Sequence, residues 1–96
     1  MLRHILMFKW TEGAEPEQRQ IAVKALESLT DTVPEIRSLK VSESAGLSPG
    51  FDGVLEIEVD DADAFGRYVS NESHQQVYID ALKPVWADMA AIQVKG

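Results

Sequence analysis

The order of the apolar segments predicts an α+β domain with the ferredoxin-like order β-α-β-β-α-β and an antiparallel sheet. Two segments with apolar residues at helical spacing each lie between segments that read as strands. The chain has 96 residues, of which 45% are hydrophobic, and no internal repeat or linker interrupts it. This size and composition predict one domain, over residues 1–96, with a single core.

The first half of the chain predicts a strand, a helix and a second strand. Leu2 to Trp10 is rich in strand formers. Pro16 suits the first turn of a helix, in which apolar residues then recur at helical spacing: Ala22, Ala25, Leu26, Leu29 and Val33. Val33-Pro34 ends this helix, because a proline disfavours helical backbone in the residue before it. Ile36 to Ser44 alternates apolar and polar residues, as in a half-exposed edge strand.

A third strand and the start of a second helix follow a loop at Gly46 to Gly50. Phe51 to Val59 alternates clearly, with apolar residues on one face and acidic ones on the other. Asp60 to Asp63 places acidic residues at the positive end of a helix dipole. We expect this helix to break near Ser70-Asn71.

A second helical piece and a short strand complete the domain. The helix resumes near His74, and Pro84 ends or kinks it. The last apolar run, Met89 to Val94, predicts a short strand. Because both crossovers of such a sheet are right-handed, both helices lie on the same face and the opposite face is bare.

The bare face predicts a homodimer. Strand one is apolar on both sides, since Leu6 and Phe8 oppose Ile5 and Met7. An exposed apolar sheet face marks an interface. Two such sheets packed face to face would bury this surface and enclose an interior, and we expect the segment from Arg67 to Tyr78 to lie at its mouth.

Charge and composition exclude several classes of protein. The net charge of −7 argues against nucleic acid and anionic membrane surfaces as partners. The chain has no cysteine, so it has no disulfide and no thiolate site. No apolar run approaches the roughly 18–20 residues that span a bilayer. The apolar run near the N-terminus is too short for a signal peptide, so we expect a cytoplasmic protein.

Four segments resemble the stress-responsive dimeric α/β-barrel (Dabb) family. His4 to Trp10 resembles its opening "H-hydrophobic-F-K" segment, and Val33 to Arg37 resembles its helix-ending "(I/V)PGI" turn. Phe65 to His74 resembles its "Y-hydrophobic-x-HPAH" segment, and Lys83-Pro84 its late "KP" pair. The resemblance covers essentially the whole chain. It implies a ferredoxin-like protomer whose sheet pairs with that of a second copy in a dimeric barrel.

The resemblance also implies a candidate active site. One branch of the family is a polyketide cyclase, which closes a linear poly-β-keto thioester by intramolecular aldol condensation. Its catalytic tyrosine and histidine fall on Tyr68 and His74, and a strand-one histidine falls on His4. These correspondences imply His74 as general base and Tyr68 as hydrogen-bond donor to the developing enolate oxygen.

Glu35 stands where the turn of the family commonly has glycine, and the chain departs from the family pattern at two further places. The "HPAH" motif is Asn71-Glu72-Ser73-His74, without its first histidine and its proline. Gly53 stands where the cyclase carries a histidine on its third strand. These departures predict a different or more open pocket.

Residue types alone leave two interpretations of the His74 segment. An imidazole titrates near neutral pH and can remove a proton alpha to a carbonyl, while a tyrosine hydroxyl can stabilise the enolate. Alternatively, Asn71 or Ser73 caps a helix, His74 lies in its first turn, and Tyr68 anchors the preceding helix. The resemblance favours a pocket lined by both side chains.

His4 also allows two interpretations. It shares its strand face with Leu6 and Phe8, so it is either a hydrogen-bonded histidine at a barrel end or a polar group in an apolar ligand cavity. The second interpretation predicts substrate-binding roles for these three residues. The spacing of the two histidines does not fit a transition-metal site, so we predict no metal. The sequence has neither a G-x-G-x-x-G segment nor a Walker lysine, so we predict no cofactor.

Two classes of function remain open, and the cofactor-independent monooxygenases of the same architecture are a third alternative, because a fold does not determine a function. The first is a cofactor-free cyclase or isomerase that acts on a small apolar carbonyl compound. The second is a non-catalytic dimeric stress-associated protein, which binds a small apolar ligand or has a filled interior. An open cavity of a few hundred cubic ångströms, reached by both His74 and Tyr68, would favour the enzyme.

Overall fold

The fold has the predicted ferredoxin-like order. A computed structural model describes all residues from 1 to 96. The elements are β1 (Leu2–Trp10), α1 (Pro16–Glu27), α2 (Leu29–Thr32), β2 (Ser38–Glu43), β3 (Gly53–Val59), α3 (Ala62–Ser70), α4 (Glu72–Val77), a π-helical turn (Tyr78–Leu82) and β4 (Trp86–Lys95). The sheet is antiparallel in the order β2-β3-β1-β4. It is open in the single chain, with β2 and β4 as its edges.

The last strand is longer than its apolar run predicts. β4 runs for ten residues from Trp86 to Lys95, whereas the sequence indicated a short strand beginning at Met89. It pairs with the whole of β1, from Leu2 opposite Lys95 to Trp10 opposite Trp86. The length of β4 is therefore set by its partner strand rather than by its own pattern of apolar residues.

The other boundaries differ by small shifts. β2 and β3 begin two residues later than predicted, at Ser38 and Gly53. Just before β3, the Asp52 backbone N–H donates to the Phe8 carbonyl oxygen at 2.8 Å, and the Asp52 carboxylate accepts the Trp10 backbone N–H at 2.8 Å. Ser28 separates α1 from α2 within the predicted first helix.

Helix α3 begins and ends where the sequence indicates. The Asp61 side chain accepts the Ala64 backbone N–H at 2.8 Å and so caps the first turn. Ala64 and Tyr68 are one helical turn apart, and both are buried against the sheet. Asn71 has extended backbone angles, φ −63° and ψ 133°, and this residue breaks the helix as predicted.

The core lies on one face of the sheet, under the helices. It joins the inward-facing residues Leu55, Ile57 and Val59 of β3 to apolar residues of the helices. The other face is bare, as predicted, and carries five apolar residues whose strand register places them side by side: Ile5, Met7, Val54, Ala90 and Ile92. Met7 is 41% exposed and Ile92 is 59% exposed, so the single chain leaves this surface uncovered.

Candidate functional site

A cavity of about 350 Å³ lies between the sheet and the segments α3, α4 and the π-helical turn. Apart from two histidines, every side chain around it is apolar or aromatic: His4, Leu6, Leu26, Leu55, Phe65, Tyr68, Val69, His74, Tyr78, Leu82, Trp86 and Met89. This volume falls in the range of small-molecule sites, roughly 300–1,000 Å³. Val69 and Met89 are exposed, so the cavity opens to solvent between α3 and β4.

The location of the cavity corrects the sequence interpretation. We expected the site at the mouth of an interior enclosed by two sheets. The cavity lies instead on the helix-covered face of a single sheet, because His4 and Leu6 point toward the helices and alternate with the bare-face residues. One chain therefore supplies all the lining described above.

The break between α3 and α4 positions His74. The Asn71 side-chain oxygen accepts the backbone N–H groups of Ser73 at 2.8 Å and His74 at 3.4 Å, so Asn71 caps α4. His74 lies in the first turn, where its ring returns to α3 and places Nδ1 3.1 Å from the Val69 carbonyl oxygen. The capping interpretation and the pocket interpretation are thus compatible, since the cap aims the ring toward the cavity wall.

The Val69 carbonyl also determines which nitrogen of His74 carries the hydrogen. A carbonyl oxygen only accepts hydrogen bonds, so Nδ1 donates and the lone pair of neutral imidazole lies on Nε2. Burial lowers the pKa of His74, against the smaller opposing effect of the Val69 bond. The ring is therefore neutral near pH 7 and presents Nε2 as a base.

Tyr68 lies next to His74 and keeps a free hydroxyl. The two ring centroids are 4.4 Å apart at 49°. Tyr68 is only 2% exposed, yet its hydroxyl has no hydrogen-bond partner in the protein and is not one of the fully buried polar atoms, so the oxygen retains accessible surface. Tyr68 is also one of the residues that line the cavity. Burial raises the pKa of Tyr68 far above its ordinary value, which keeps the hydroxyl protonated and able to donate.

His4 lies next to Tyr68 in the lining of the same cavity. Its ring centroid is 4.9 Å from Phe65 and 6.0 Å from Tyr68. Its Nδ1 lies 2.9 Å from the side-chain nitrogen of Gln93, the residue directly opposite on β4. Burial, and then the proximity of His74, lowers the pKa of His4. The structure therefore brings His4, Tyr68 and His74 together.

Leu6 lines the cavity, whereas Phe8 does not. Phe8 is fully buried, with its ring stacked on Trp86 at 4.9 Å and 8° and edge-on to Trp10 at 5.0 Å. It therefore packs behind Trp86, which forms part of the cavity wall. The Phe8 side chain does not line the cavity, so the structure offers no support for its predicted substrate-binding role.

Phe8 also accounts for the departure at Gly53. The two residues are paired across β1 and β3, and a Cβ added to Gly53 would lie 2.5 Å from Cζ of Phe8. The phenyl ring thus occupies the space that a side chain at Gly53 would need. A histidine does not fit at this position while Phe8 keeps its place.

Several lining residues escaped the sequence analysis. Phe65 is three residues before Tyr68 on the same face of α3, a spacing that could have indicated a shared wall. Trp86, Tyr78 and Met89 carry no such local signal, because they reach the cavity through the π-helical turn and the pairing of β4. The indole N–H of Trp86 is buried without a partner, so it is sealed from the cavity and offers no donor there.

Two further features bear on function. No three side chains among His, Asp and Glu converge in a way that could hold a metal ion. None of the helices combines the length and the apolar character that a membrane crossing requires.

Comparisons with known proteins agree with this architecture. The family model described as Stress responsive A/B Barrel Domain matches residues 2–95. An uncharacterised protein of Streptomyces coelicolor is 28% identical over 78 residues, which cover 78% of this chain and 80% of that protein.

Two solved structures show the same fold. The crystal structure of a dimeric ferredoxin-like protein of unknown function from Thermobifida fusca is 27% identical and covers 99% of this chain and 90% of its own, with a TM-score of 0.87. A hydroxynitrile lyase from Passiflora edulis is 14% identical and covers 97% of this chain and 90% of its own, with a TM-score of 0.88. At that identity, the likeness to the lyase concerns the fold alone.

Proposed function

Because this chain belongs to the stress-responsive A/B barrel domain family, we propose that it is a cofactor-free catalyst of proton transfer in a small, largely apolar carbonyl compound. The observation that carries the proposal is the pair formed by His74 and Tyr68, whose rings lie 4.4 Å apart in the wall of an otherwise apolar cavity. The reaction class includes cyclisation and isomerisation, both of which begin with an enolate.

His74 is the proposed general base. Its Nδ1–H is held by the Val69 carbonyl, which leaves the Nε2 lone pair for the substrate. Nε2 takes a proton from the carbon alpha to the carbonyl, and the electron pair of that C–H bond forms the enolate. A lowered pKa keeps His74 in the required neutral form at neutral pH.

Tyr68 is the proposed donor to the enolate oxygen. Its hydroxyl has no partner within the protein, so a substrate oxygen would satisfy it without displacing an existing hydrogen bond. A donor aimed at developing charge in a site with little water contributes far more than one in solution. The protonated His74 then returns its proton to carbon, or to the alkoxide formed when the enolate carbon attacks a second carbonyl.

The lining supports an apolar substrate. Ten of its twelve residues are hydrophobic, and the aliphatic side chains of Leu6, Leu26 and Leu55 lie along the sheet and α1. Such a surface favours a hydrocarbon portion, with the carbonyl end directed to the two histidines and Tyr68. The same fold occurs in a hydroxynitrile lyase, so the architecture is compatible with catalysis.

Deuterium exchange tests this proposal without knowledge of the natural substrate. The purified protein is incubated in deuterium oxide with an aliphatic methyl ketone of medium chain length and with a β-keto thioester. Mass spectrometry then follows deuterium incorporation at the alpha carbon. We expect exchange above the buffer rate, and its loss in His74→Ala.

Gln75→Ala is the matched control, because Gln75 is exposed and is the next residue on the same helix. It should exchange deuterium at the wild-type rate. Circular dichroism and thermal unfolding establish that both variants are folded. If wild-type protein gives no exchange with either probe, or if His74→Ala exchanges as fast as wild type, the non-catalytic ligand-binding function replaces this one.

We further propose that the chain acts as a homodimer joined through the bare face of its sheet. Met7 and Ile92 are exposed and Ile5 is partly exposed, and the three lie side by side at the centre of that face. A second copy would remove them from water, and the relative from Thermobifida fusca is dimeric. A role in stress responses and a cytoplasmic location stay predictions.

A further inference from the structure

We propose that Gln93 is a positioning residue that fixes His4 as the Nε2–H tautomer, so that the cavity presents a second hydrogen-bond donor beside the Tyr68 hydroxyl. This inference rests on the proposed function of the site and concerns two residues to which that function assigns no step. The carbonyl end of the substrate then meets two donors, from His4 and Tyr68, and one acceptor, Nε2 of His74.

The contact between Gln93 and His4 carries the argument. The strand register places the two residues directly opposite each other on β4 and β1, with the Gln93 side-chain nitrogen 2.9 Å from Nδ1 of His4. An amide nitrogen only donates hydrogen bonds, so Nδ1 accepts. Neutral imidazole carries one hydrogen, which must then lie on Nε2.

The second ring nitrogen of His4, Nε2, is free of partners in the protein. His4 is 6% exposed, and Nε2 has no hydrogen-bond partner in the protein. It is not one of the fully buried polar atoms without a partner, so Nε2 retains accessible surface. His4 lines the cavity next to Tyr68, with ring centroids 6.0 Å apart, and from this we infer that Nε2 faces the cavity.

The two histidines thus have opposite roles because their Nδ1 atoms have opposite partners. Val69 offers His74 an acceptor, which turns Nε2 into a base. Gln93 offers His4 a donor, which turns Nε2 into a donor. Burial lowers the pKa of both rings, so both are neutral and both tautomers are defined at neutral pH.

This arrangement narrows the class of substrate. Two donors and one base fit a carbonyl compound whose reaction builds negative charge on oxygen while a proton leaves carbon. A substrate with a positively charged or purely donating polar end would leave both donors unsatisfied. We therefore expect the site to accept ketones, thioesters and β-dicarbonyl compounds and to reject amines.

Long-range nitrogen–proton correlation of the imidazoles in ¹⁵N-labelled protein tests the tautomer directly. In wild type we expect the hydrogen of His4 on Nε2. In Gln93→Glu the carboxylate only accepts, so the hydrogen of neutral His4 should move to Nδ1. The inference is overturned if wild-type His4 carries its hydrogen on Nδ1, or if folded Gln93→Glu shows the same tautomer as wild type.

Octanoate serves as the probe of the donor role, because it combines an oxyanion with an apolar chain. We expect octanoate to shift the Nε2–H resonance of His4 in wild type and to bind at least about tenfold more weakly to Gln93→Glu, as for one lost charge-assisted hydrogen bond. Ala91→Glu adds the same charge two residues away on the same face of β4 and should bind octanoate like wild type.

These measurements separate the inference from the proposed function. Octanoate that binds in the cavity without shifting His4 Nε2–H, or that does not bind, contradicts the donor role of His4. Equal weakening in Gln93→Glu and Ala91→Glu contradicts it as well, since charge alone would then explain the loss. Deuterium exchange has no part in these measurements, so the tautomer result stands whether or not the protein exchanges a ketone.

Discussion

Replacing Tyr68 with phenylalanine should separate catalysis from stability. The ring is 2% exposed, and removing it entirely would cost about 3–5 kcal/mol, as for other buried aromatic side chains. Tyr68→Phe keeps the ring and removes only a hydroxyl that bonds to nothing in the protein. We therefore expect the free energy of unfolding to change by less than about 0.5 kcal/mol.

The effect on turnover should be much larger. Losing one donor to a developing oxyanion typically costs about a hundredfold to a thousandfold in rate, or about 2.7–4 kcal/mol. We expect that loss in the rate constant of deuterium exchange rather than in the Michaelis constant, because the hydroxyl acts mainly on the enolate. The hydroxyl stays protonated over the neutral range, since burial raises its pKa, so no change in charge complicates the comparison.

The assay combines urea denaturation with deuterium exchange of the same methyl ketone in wild type and Tyr68→Phe. A destabilisation above about 1.5 kcal/mol would show that the hydroxyl makes a structural hydrogen bond. An exchange rate within about twofold of wild type would show that it does not stabilise the transition state. Either result refutes the reasoning.

Three further predictions follow from the packing, the histidines and the bare face. Gly53→Ala should lower the free energy of unfolding by about 1–3 kcal/mol, because the new Cβ would overlap the ring of Phe8. The new Cβ of Gly66→Ala would meet no atom within 4 Å, so this change should leave the free energy of unfolding unchanged or raise it. Burial lowers the pKa of His74, so exchange activity should rise with pH through a midpoint below about 6.5. Below pH about 6.5 the unfolded chain binds more protons at His74 than the folded chain does, so the free energy of unfolding should fall as the pH drops below about 6.5. Met7→Lys should shift the protein from dimer to monomer in sedimentation, because it puts a charge in the bare apolar face.

Each of these predictions has a control. Combining Gly53→Ala with Phe8→Leu should destabilise the protein by less than the sum of the two single changes, and full additivity would contradict the overlap. His74→Ala should reduce the loss of stability in acid, and an unchanged pH dependence would contradict the role of this ring. Ile21→Lys changes an exposed apolar residue of α1, and it should leave the dimer intact. A wild-type monomer at micromolar concentration would contradict the proposed assembly.

Local pattern was sufficient to predict the order of the strands and of the main helical segments. Local sequence determines the alternation in β3, the caps of α3 and the break at Asn71, because these features depend on interactions between residues a few positions apart. The bare apolar face followed from the two-sided strand β1 and from crossover handedness. The resemblance to a family then singled out Tyr68 and His74 in the segment that the break separates.

The chemistry of the site required contacts between residues far apart in the chain. His4 and Gln93 are 89 residues apart and meet only because β1 and β4 pair in one register, and that register decides which nitrogen of His4 donates. A shift of one residue would turn Gln93 to the other face of the sheet. Strand pairing likewise placed Phe8 against Gly53 and outside the cavity, although alternation put Phe8 on the same face as His4 and Leu6. Alternation fixes the face on which a side chain lies, but only the packed sheet and helices decide which neighbours it meets there.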